Sequence, residues 1–265
     1  MQASARQLAE LNGRRIDGLD LLVLYVDGIV VHEHHIIAAI GVDSAGRKHL
    51  LGLKAGSTEN RAVVNDLLSS LIGRGLRTDL AYLFVIDGAK ALRAAIEELF
   101  GDQAHIQRCR THKVRNVVER LPKSVAAQIK AAMHAAYKLD AEQGIARLKQ
   151  QAKWLRGEHP DAAASLLEGL EETFTVNRMG LTAALRRCLS TTNIIENPNG
   201  RVRDTARRVK RYRDRDMVLR WTAAGFLEGE KSFRRIQGIK DLWMLSAALG
   251  RARDVSRDQP QVRAA

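Results

Sequence analysis

Three acids and one basic segment carry most of the chemical information in this chain. Asp27 lies within the apolar run Leu24-Tyr25-Val26-Asp27-Gly28-Ile29-Val30, and Asp87 closes the run Leu83-Phe84-Val85-Ile86. Glu196 ends the stretch Thr191-Thr192-Asn193-Ile194-Ile195-Glu196, and from Arg201 to Arg220 there follow nine Lys or Arg and only three Asp. Carboxylates are hard oxygen ligands suited to Mg²⁺, which takes one or two of them and keeps water and phosphate in its other positions. Two such ions, about 3.5–4 Å apart, activate the attacking oxygen of a phosphodiester displacement and stabilise the leaving one. A cationic face beside them binds backbone phosphates. The pattern points to chemistry on a nucleic-acid backbone, with Asp27, Asp87 and Glu196 holding two Mg²⁺ or Mn²⁺ ions.

Each acid taken alone has a purely structural reading. Asp27-Gly28 between apolar residues is a strong hairpin signal. Asp87 stands where a helix follows a strand and suits an N-cap. Glu196 suits a surface ion pair with Arg201 or Arg203, which contributes little stability. Against the hairpin, apolar character resumes at once after Gly28, as in one long buried strand carrying a single acid. Asp87 at the carboxyl end of a strand is also where α/β sheets place their sites.

The formal net charge of +13 favours polyanionic partners, nucleic acid first and an anionic membrane second. Arg201, Arg203, Arg207, Arg208, Lys210, Arg211 and Arg213 are the expected DNA contacts; Arg203, Arg207, Lys210 and Arg211 fall at helical spacing along one face. No run approaches the 18 apolar residues of a membrane helix, and Met1 to Arg15 has no secretory apolar core. Two cysteines, Cys109 and Cys188, give no disulfide framework. The expected compartment is the cytoplasm, at the nucleoid.

The elements that must position the acids are legible in the periodicity. Residues 1–18 form a polar lead-in. Leu21 to Val31, Ile36 to Val42 and Arg47 to Lys54 read as three antiparallel strands, the last two joined by the turn Asp43-Ser44-Ala45-Gly46. A helix follows, with Val63, Val64, Leu67, Leu68, Leu71 and Ile72 on its apolar face. Tyr82 to Ile86 is a fourth strand, Ala89 to Phe100 a helix, and Ala104 to Gln107 a fifth strand. From His112 to about Leu189 helical periodicity takes over, with Trp154 expected in an interhelix contact. The chain resumes with the basic segment and a last helical stretch, Trp221 to Leu249, packing through Trp221, Phe226, Leu227, Leu242, Trp243 and Leu245. This order predicts an α/β fold: a ribonuclease-H-like mixed sheet flanked by helices, with an all-helical insertion before the last catalytic helix. The expected division is a lead-in (1–18), the first part of the core (19–112), the insertion (113–189), the end of the core with the basic helix (190–250) and a frayed tail (251–265). His32, His34 and His35 read as solvated side chains of an edge strand. Asn197 and Pro198 read as the cap and first residue of a helix, leaving Glu196 just ahead of it.

Several ordered motifs carry a family resemblance. They are the apolar strand with Asp27-Gly28, the segment Gly52-Leu53-Lys54-Ala55-Gly56-Ser57-Thr58-Glu59-Asn60, and Ile86-Asp87-Gly88-Ala89-Lys90-Ala91-Leu92. Gln107-Arg108-Cys109-Arg110-Thr111-His112-Lys113 and Ser190-Thr191-Thr192-Asn193-Ile194-Ile195-Glu196 complete the set. From about Leu19 to Leu249 the chain resembles the mutator-type transposases of bacterial insertion sequences. That resemblance implies a DDE triad of Asp27, Asp87 and Glu196, strand cleavage at transposon ends, transfer into target DNA, and a homodimer or higher assembly on DNA. Cys109 and His112 match a signature of the family; as residues alone they read as half a zinc site or as packing. Family members carry a DNA-binding region ahead of the first Asp, and only 26 residues precede Asp27 here. Two further readings therefore stand beside an active transposase: an inactive DNA-binding form, and a nuclease or resolvase on the same fold.

Overall fold

The computed structural model of the protein describes residues 2–31, 33–56, 61–207, 209 and 212–251. A first helix, α1 (Gln2–Gly13), leads into three long strands, β1 (Leu21–Val31), β2 (His34–Asp43) and β3 (Lys48–Gly56). Then come α2 (Arg61–Gly73), β4 (Tyr82–Ile86), α3 (Lys90–Phe100) and β5 (Ala104–Arg108). The sheet order is β3-β2-β1-β4-β5. β1 and β3 pair antiparallel with β2, whereas β1–β4 and β4–β5 are parallel. This mixed sheet with helices on both faces is the expected ribonuclease-H-like arrangement. The parallel pairs need crossover helices, and α2 and α3 supply them.

Alternation along the strands divides the core in two. Leu24, Val26, Phe84 and Ile86 pack beneath α2 and α3, through Val64, Leu67, Leu68, Leu92 and Ile96. Val23, Tyr25, Ile29, Leu83 and Val85 face the other way. There they meet two helices from the far end of the chain, α10 (Asn193–Arg207) and α11 (Arg215–Glu230), through Ile194, Ile195, Val202, Val218 and Phe226.

Between the two parts run six helices: α4 (Arg110–Val118), α5 (Lys123–Ala136), α6 (Ala141–Leu155), α7 (Pro160–Leu167), α8 (Thr175–Arg178) and α9 (Ala183–Leu189). Residues of α4–α7 and Phe174 share a core of their own, which includes Val117, Ile129, Met133, Leu148, Leu166 and Phe174. Lys113 is buried under α7, where its ammonium donates to Ser165 O (2.6 Å) and Glu168 O. Burial, with Arg108 nearby, pushes its pKa down to about 8.

Several expectations are corrected here. Trp154 is 57% exposed: Leu148, Ala152 and Leu155 mark the buried stripe of α6, and Trp154 lies off it. Trp221 and Trp243 are likewise exposed, whereas Phe226, Leu242 and Leu245 are buried. The last helical stretch is two helices, α11 and α12 (Leu242–Ala248), parted by a left-handed Gly238. β2 lies inside the sheet, so His34 and His35, both half-buried, are not on an edge strand; His32 lies outside the described residues. No helix among the described residues is long and apolar enough to cross a membrane.

β3, one of the two edge strands, has a bulge at Leu51, opposite the step from Ala39 to Ile40. Its carbonyl accepts from the Arg74 guanidinium (2.7 Å), and the amide of Leu50 donates to Glu230 (2.7 Å). Glu230 also binds Arg14 of the segment after α1.

The β2–β3 turn depends on Asp43, whose side chain is 3% exposed. Its carboxylate accepts from the Arg47 amide (2.8 Å), from Arg47 Nε (2.8 Å), and lies 2.9 Å from His49 Nε2. Burial opposes its ionisation, but the His49 and Arg47 hydrogen bonds prevail and bring its pKa down to about 2. A carboxylate depressed in the folded state contributes stability above its unfolded pKa, and that contribution is lost as pH falls through the folded value. Asp43→Asn is thus expected to lower stability by about 2 kcal/mol at neutral pH. Urea titrations should show the gap to wild type closing between about pH 4 and pH 2; a gap independent of pH would refute the assignment.

Candidate active site

Asp27 sits mid-strand in β1, opposite Ala38 of β2, and is 5% exposed. The hairpin reading of Asp27-Gly28 is excluded, because β1 continues to Val31. Its neighbours in the pleat, Tyr25 and Ile29, face α10, so the period of two places Asp27 on that side. The parallel register Val23–Leu83, Leu24–Phe84, Tyr25–Val85 ends two residues short of both acids; continued by two residues it would set Asp27 level with Asp87, one residue past the end of β4. Asp87 follows the parity of Leu83 and Val85 and so belongs to the α10 face as well.

Asp87 is not the cap of the next helix. Ala89 holds that place in α3 with no side-chain cap, and its amide donates to Asp87 Oδ1 (2.9 Å). Gly88 between them has φ +103°, and a Cβ there would lie 2.1 Å from Arg108 Nε. Only glycine lets the backbone turn sharply over the guanidinium. Arg108 is held in turn by Glu168 (3.0 Å). The cleft beside it is lined by cations and acids in pairs, among them Arg93–Glu172 and Arg93–Glu97.

Glu196 stands in the first turn of α10. The helix starts at Asn193, with Ile195 and Glu196 donating to Thr192 O (both 3.0 Å). Asn197 is therefore no cap, and Pro198 lies inside the helix. Its ring removes the bond to Ile194 O; the packing of Ile194, Ile195 and Val202 on the sheet keeps the helix going through it.

Around Glu196 the two late motifs lock together. Cys109, fully buried, starts α4, and its amide bonds to Ile86 O (2.7 Å) at the end of β4. Arg110 N donates to Ser190 O (3.0 Å). The Thr192 amide donates to Cys109 Sγ (3.4 Å). The Thr192 hydroxyl lies 3.3 Å from both Cys109 Sγ and His112 Nδ1 and donates to Glu196 Oε1. His112 Nδ1 is 3.7 Å from Glu196 Oε1. Burial raises the Cys109 thiol, but hydrogen bonds with His112 and Thr192 outweigh it and hold the pKa below the usual thiol value. The bond to Cys109, against desolvation and helped by Glu196, raises the pKa of His112.

Cys109, His112 and Glu196 thus offer one sulfur, one nitrogen and one oxygen within 4.8 Å of one another, the one such group of three among the described residues. Asp27, Asp87 and Glu196 do not approach one another that closely. Thr192 went unnoticed as a functional residue in the sequence, although its place directly ahead of a helix and four residues before Glu196 was a usable signal.

The basic segment is not one helix. Arg201, Arg203 and Arg207 are on α10, which ends at Arg207, and Val209 and Tyr212 belong to no helix. Arg203 and Arg213 are exposed; Arg208, Lys210 and Arg211 lie outside the described residues. Of the face expected through Arg203, Arg207, Lys210 and Arg211, the first two are on α10 and the last two lie outside the described residues.

Residues 15–235 match the family model described as "Transposase, Mutator family". The chain belongs to that family. It is 29% identical over 205 residues to the transposase for insertion sequence element IST2 of Acidithiobacillus ferrooxidans, covering 77% of this chain and 67% of that relative. Identity to the transposase for insertion sequence element ISRM5 of Rhizobium meliloti is 28% over 208 residues, 77% of this chain and 50% of the relative. The transposase for insertion sequence element IS1081 of Mycobacterium tuberculosis is 29% identical over 249 residues, 91% of this chain and 58% of the relative. This mutator-family chain spans about half to two thirds of the length of these relatives.

Proposed function

We propose that the chain is the catalytic core of an insertion-sequence transposase, with Asp27, Asp87 and Glu196 as its DDE ligands. The observation that carries this is the placement of the three acids. Asp27 is within β1, Asp87 directly follows the adjacent parallel strand β4, and Glu196 is on the helix packed over the same face. Hard oxygen donors of this kind fit Mg²⁺ or Mn²⁺, and two such ions bound there would activate the oxygen attacking a phosphodiester and stabilise the one leaving. In this reading Asp27 holds its carboxylate in a buried strand that fixes its position. Asp87 is oriented by the Ala89 amide and Glu196 by the Thr192 hydroxyl. Water or a freed 3′-hydroxyl attacks from the open side, with cleavage at transposon ends preceding transfer into target DNA. A homodimer or higher assembly on DNA would bring two ends together, and the exposed Arg203 and Arg213 would contact the phosphates.

The test is nicking of supercoiled DNA carrying the sequences that flank the coding region, with Mg²⁺ or Mn²⁺ and with Ca²⁺ as a control. Cleavage followed by joining supports a transposase. Cleavage without joining identifies a nuclease or resolvase, and metal-independent binding alone identifies an inactive DNA-binding form. Binding itself should weaken linearly in log[salt]. Arg203→Ala with Arg213→Ala is expected to reduce that slope by about 2, roughly one per lost phosphate contact. An unchanged slope in filter-binding titrations would remove these residues from the DNA surface.

A further inference from the structure

The Cys109–His112–Glu196 group differs in kind from the proposed catalytic carboxylates. A thiol and an imidazole with one carboxylate are the donors that suit Zn²⁺ and other borderline cations, whereas Mg²⁺ prefers oxygen alone. The spacing agrees with this. Ligand bonds of about 2.0–2.3 Å at tetrahedral angles set neighbouring donor atoms roughly 3.3–3.8 Å apart. His112 Nδ1 and Glu196 Oε1 are separated by 3.7 Å, within this range, and all three donor atoms lie within 4.8 Å of one another, so a modest closing of side chains brings the sulfur in. Cys109 and His112 lie one turn apart at the start of α4, and Glu196 comes from the start of α10. The two helix starts are already tied together through Arg110 N to Ser190 O and Thr192 N to Cys109 Sγ. Little rearrangement of backbone is needed to close the three donors on an ion. The hydroxyl of Thr192, bound to Glu196, supplies the kind of outer-shell contact that orients a ligating carboxylate.

We propose that Cys109, His112 and Glu196 form a binding site for a thiophilic divalent cation, Zn²⁺ or its close analogues, that shares Glu196 with the catalytic carboxylates. An ion held there draws Glu196 toward sulfur and nitrogen and away from Asp27 and Asp87. Zn²⁺ then opposes Mg²⁺-dependent cleavage. That inhibitory consequence rests on the transposase reading; the binding itself does not.

The experiment is titration of the metal-free full chain with Co²⁺, whose bond to a thiolate gives a near-ultraviolet charge-transfer band. The band is expected to saturate at a single equivalent, to bleach on adding Zn²⁺, and to vanish in Cys109→Ser while persisting in Cys188→Ser. Thr192→Val should weaken Co²⁺ binding by about 10–100-fold, as removal of an outer-shell partner does. If Cys109→Ser fails to fold by circular dichroism, loss of tight binding in Glu196→Gln and His112→Ala carries the test. Absence of the band in the folded wild type, its survival in folded Cys109→Ser, or its loss in Cys188→Ser overturns the proposal. Zn²⁺ is then added to the Mg²⁺ cleavage reaction. Intact cleavage with no cobalt band sinks the cation site and leaves the transposase reading standing. A cobalt band with no cleavage does the reverse.

Discussion

Asp27→Asn is expected to abolish DNA cleavage while leaving the chain folded. The substitution keeps the size of a side chain that is 5% exposed in the middle of β1, so strand pairing and the α10 contact are undisturbed. What changes is one potential ligand oxygen, replaced by an amide nitrogen that does not ligate a cation. If Asp27 is the ion ligand proposed above, its loss should lower the cleavage rate by at least about 10²–10³-fold, the effect typical of deleting one preorganised electrostatic contact. A second readout separates metal binding from folding. Ligands that bind only the folded state raise its stability by mass action. Mg²⁺ or Mn²⁺ should therefore raise the melting temperature of the wild type and not of Asp27→Asn. Asp87→Asn should behave alike, because the parallel register, continued by two residues, would set it level with Asp27. Wild-type cleavage in either variant removes that residue from the site.

The largest effect on stability is expected from Phe174→Ala. The ring is fully buried, 5.3 Å from that of Tyr137, and fills the notch left by Gly144, where a Cβ would be 2.2 Å from ring carbon Cε1. The Arg110 guanidinium sits 4.6 Å from the Tyr137 centroid and 5.6 Å from that of Phe174. Removing the ring takes away apolar burial, opens a cavity and withdraws a cation–π partner. The expected loss is about 3–5 kcal/mol. In urea the midpoint should fall with an unchanged slope. A loss below about 1 kcal/mol would mean that the helical layer collapses onto the gap.

Much of the sheet was legible because its strands are long, apolar and bounded by turns. The alternation of Val23, Tyr25, Ile29 against Leu24, Val26 even assigns Asp27 a face, and Asp87 follows from the parity of Leu83 and Val85. What local pattern could not give is the encounter of distant segments. Cys109 and Thr192 are 83 positions apart, and although Thr192 stands four residues before Glu196, neither stretch announces that it will meet the Cys109 thiol. Cys109 and His112 alone make only half a metal site; the carboxylate that comes within 4.8 Å of them, Glu196, arrives from the other end of the helical region. Pro198 misled for a related reason. It argues locally for a helix start at Asn197, but contacts of Ile194 and Ile195 with the sheet begin the helix earlier. The exposed Trp154, Trp221 and Trp243 show the same limit in reverse, since apolar character marks what can be buried rather than what is.

The guarded rim of β3 has a consequence for how the molecule behaves in crowded solution. A sheet border with free amides and carbonyls invites a strand from another chain, the first step of runaway polymerisation. At β3 the bulge at Leu51 interrupts the flat border, Arg74 occupies the Leu51 carbonyl, and Glu230 occupies the Leu50 amide. Both guards are charged and anchored on separate helical elements, so a visiting strand would have to evict two ions to gain two hydrogen bonds. Copies of this chain can therefore collect at high local density without seeding one another through that border.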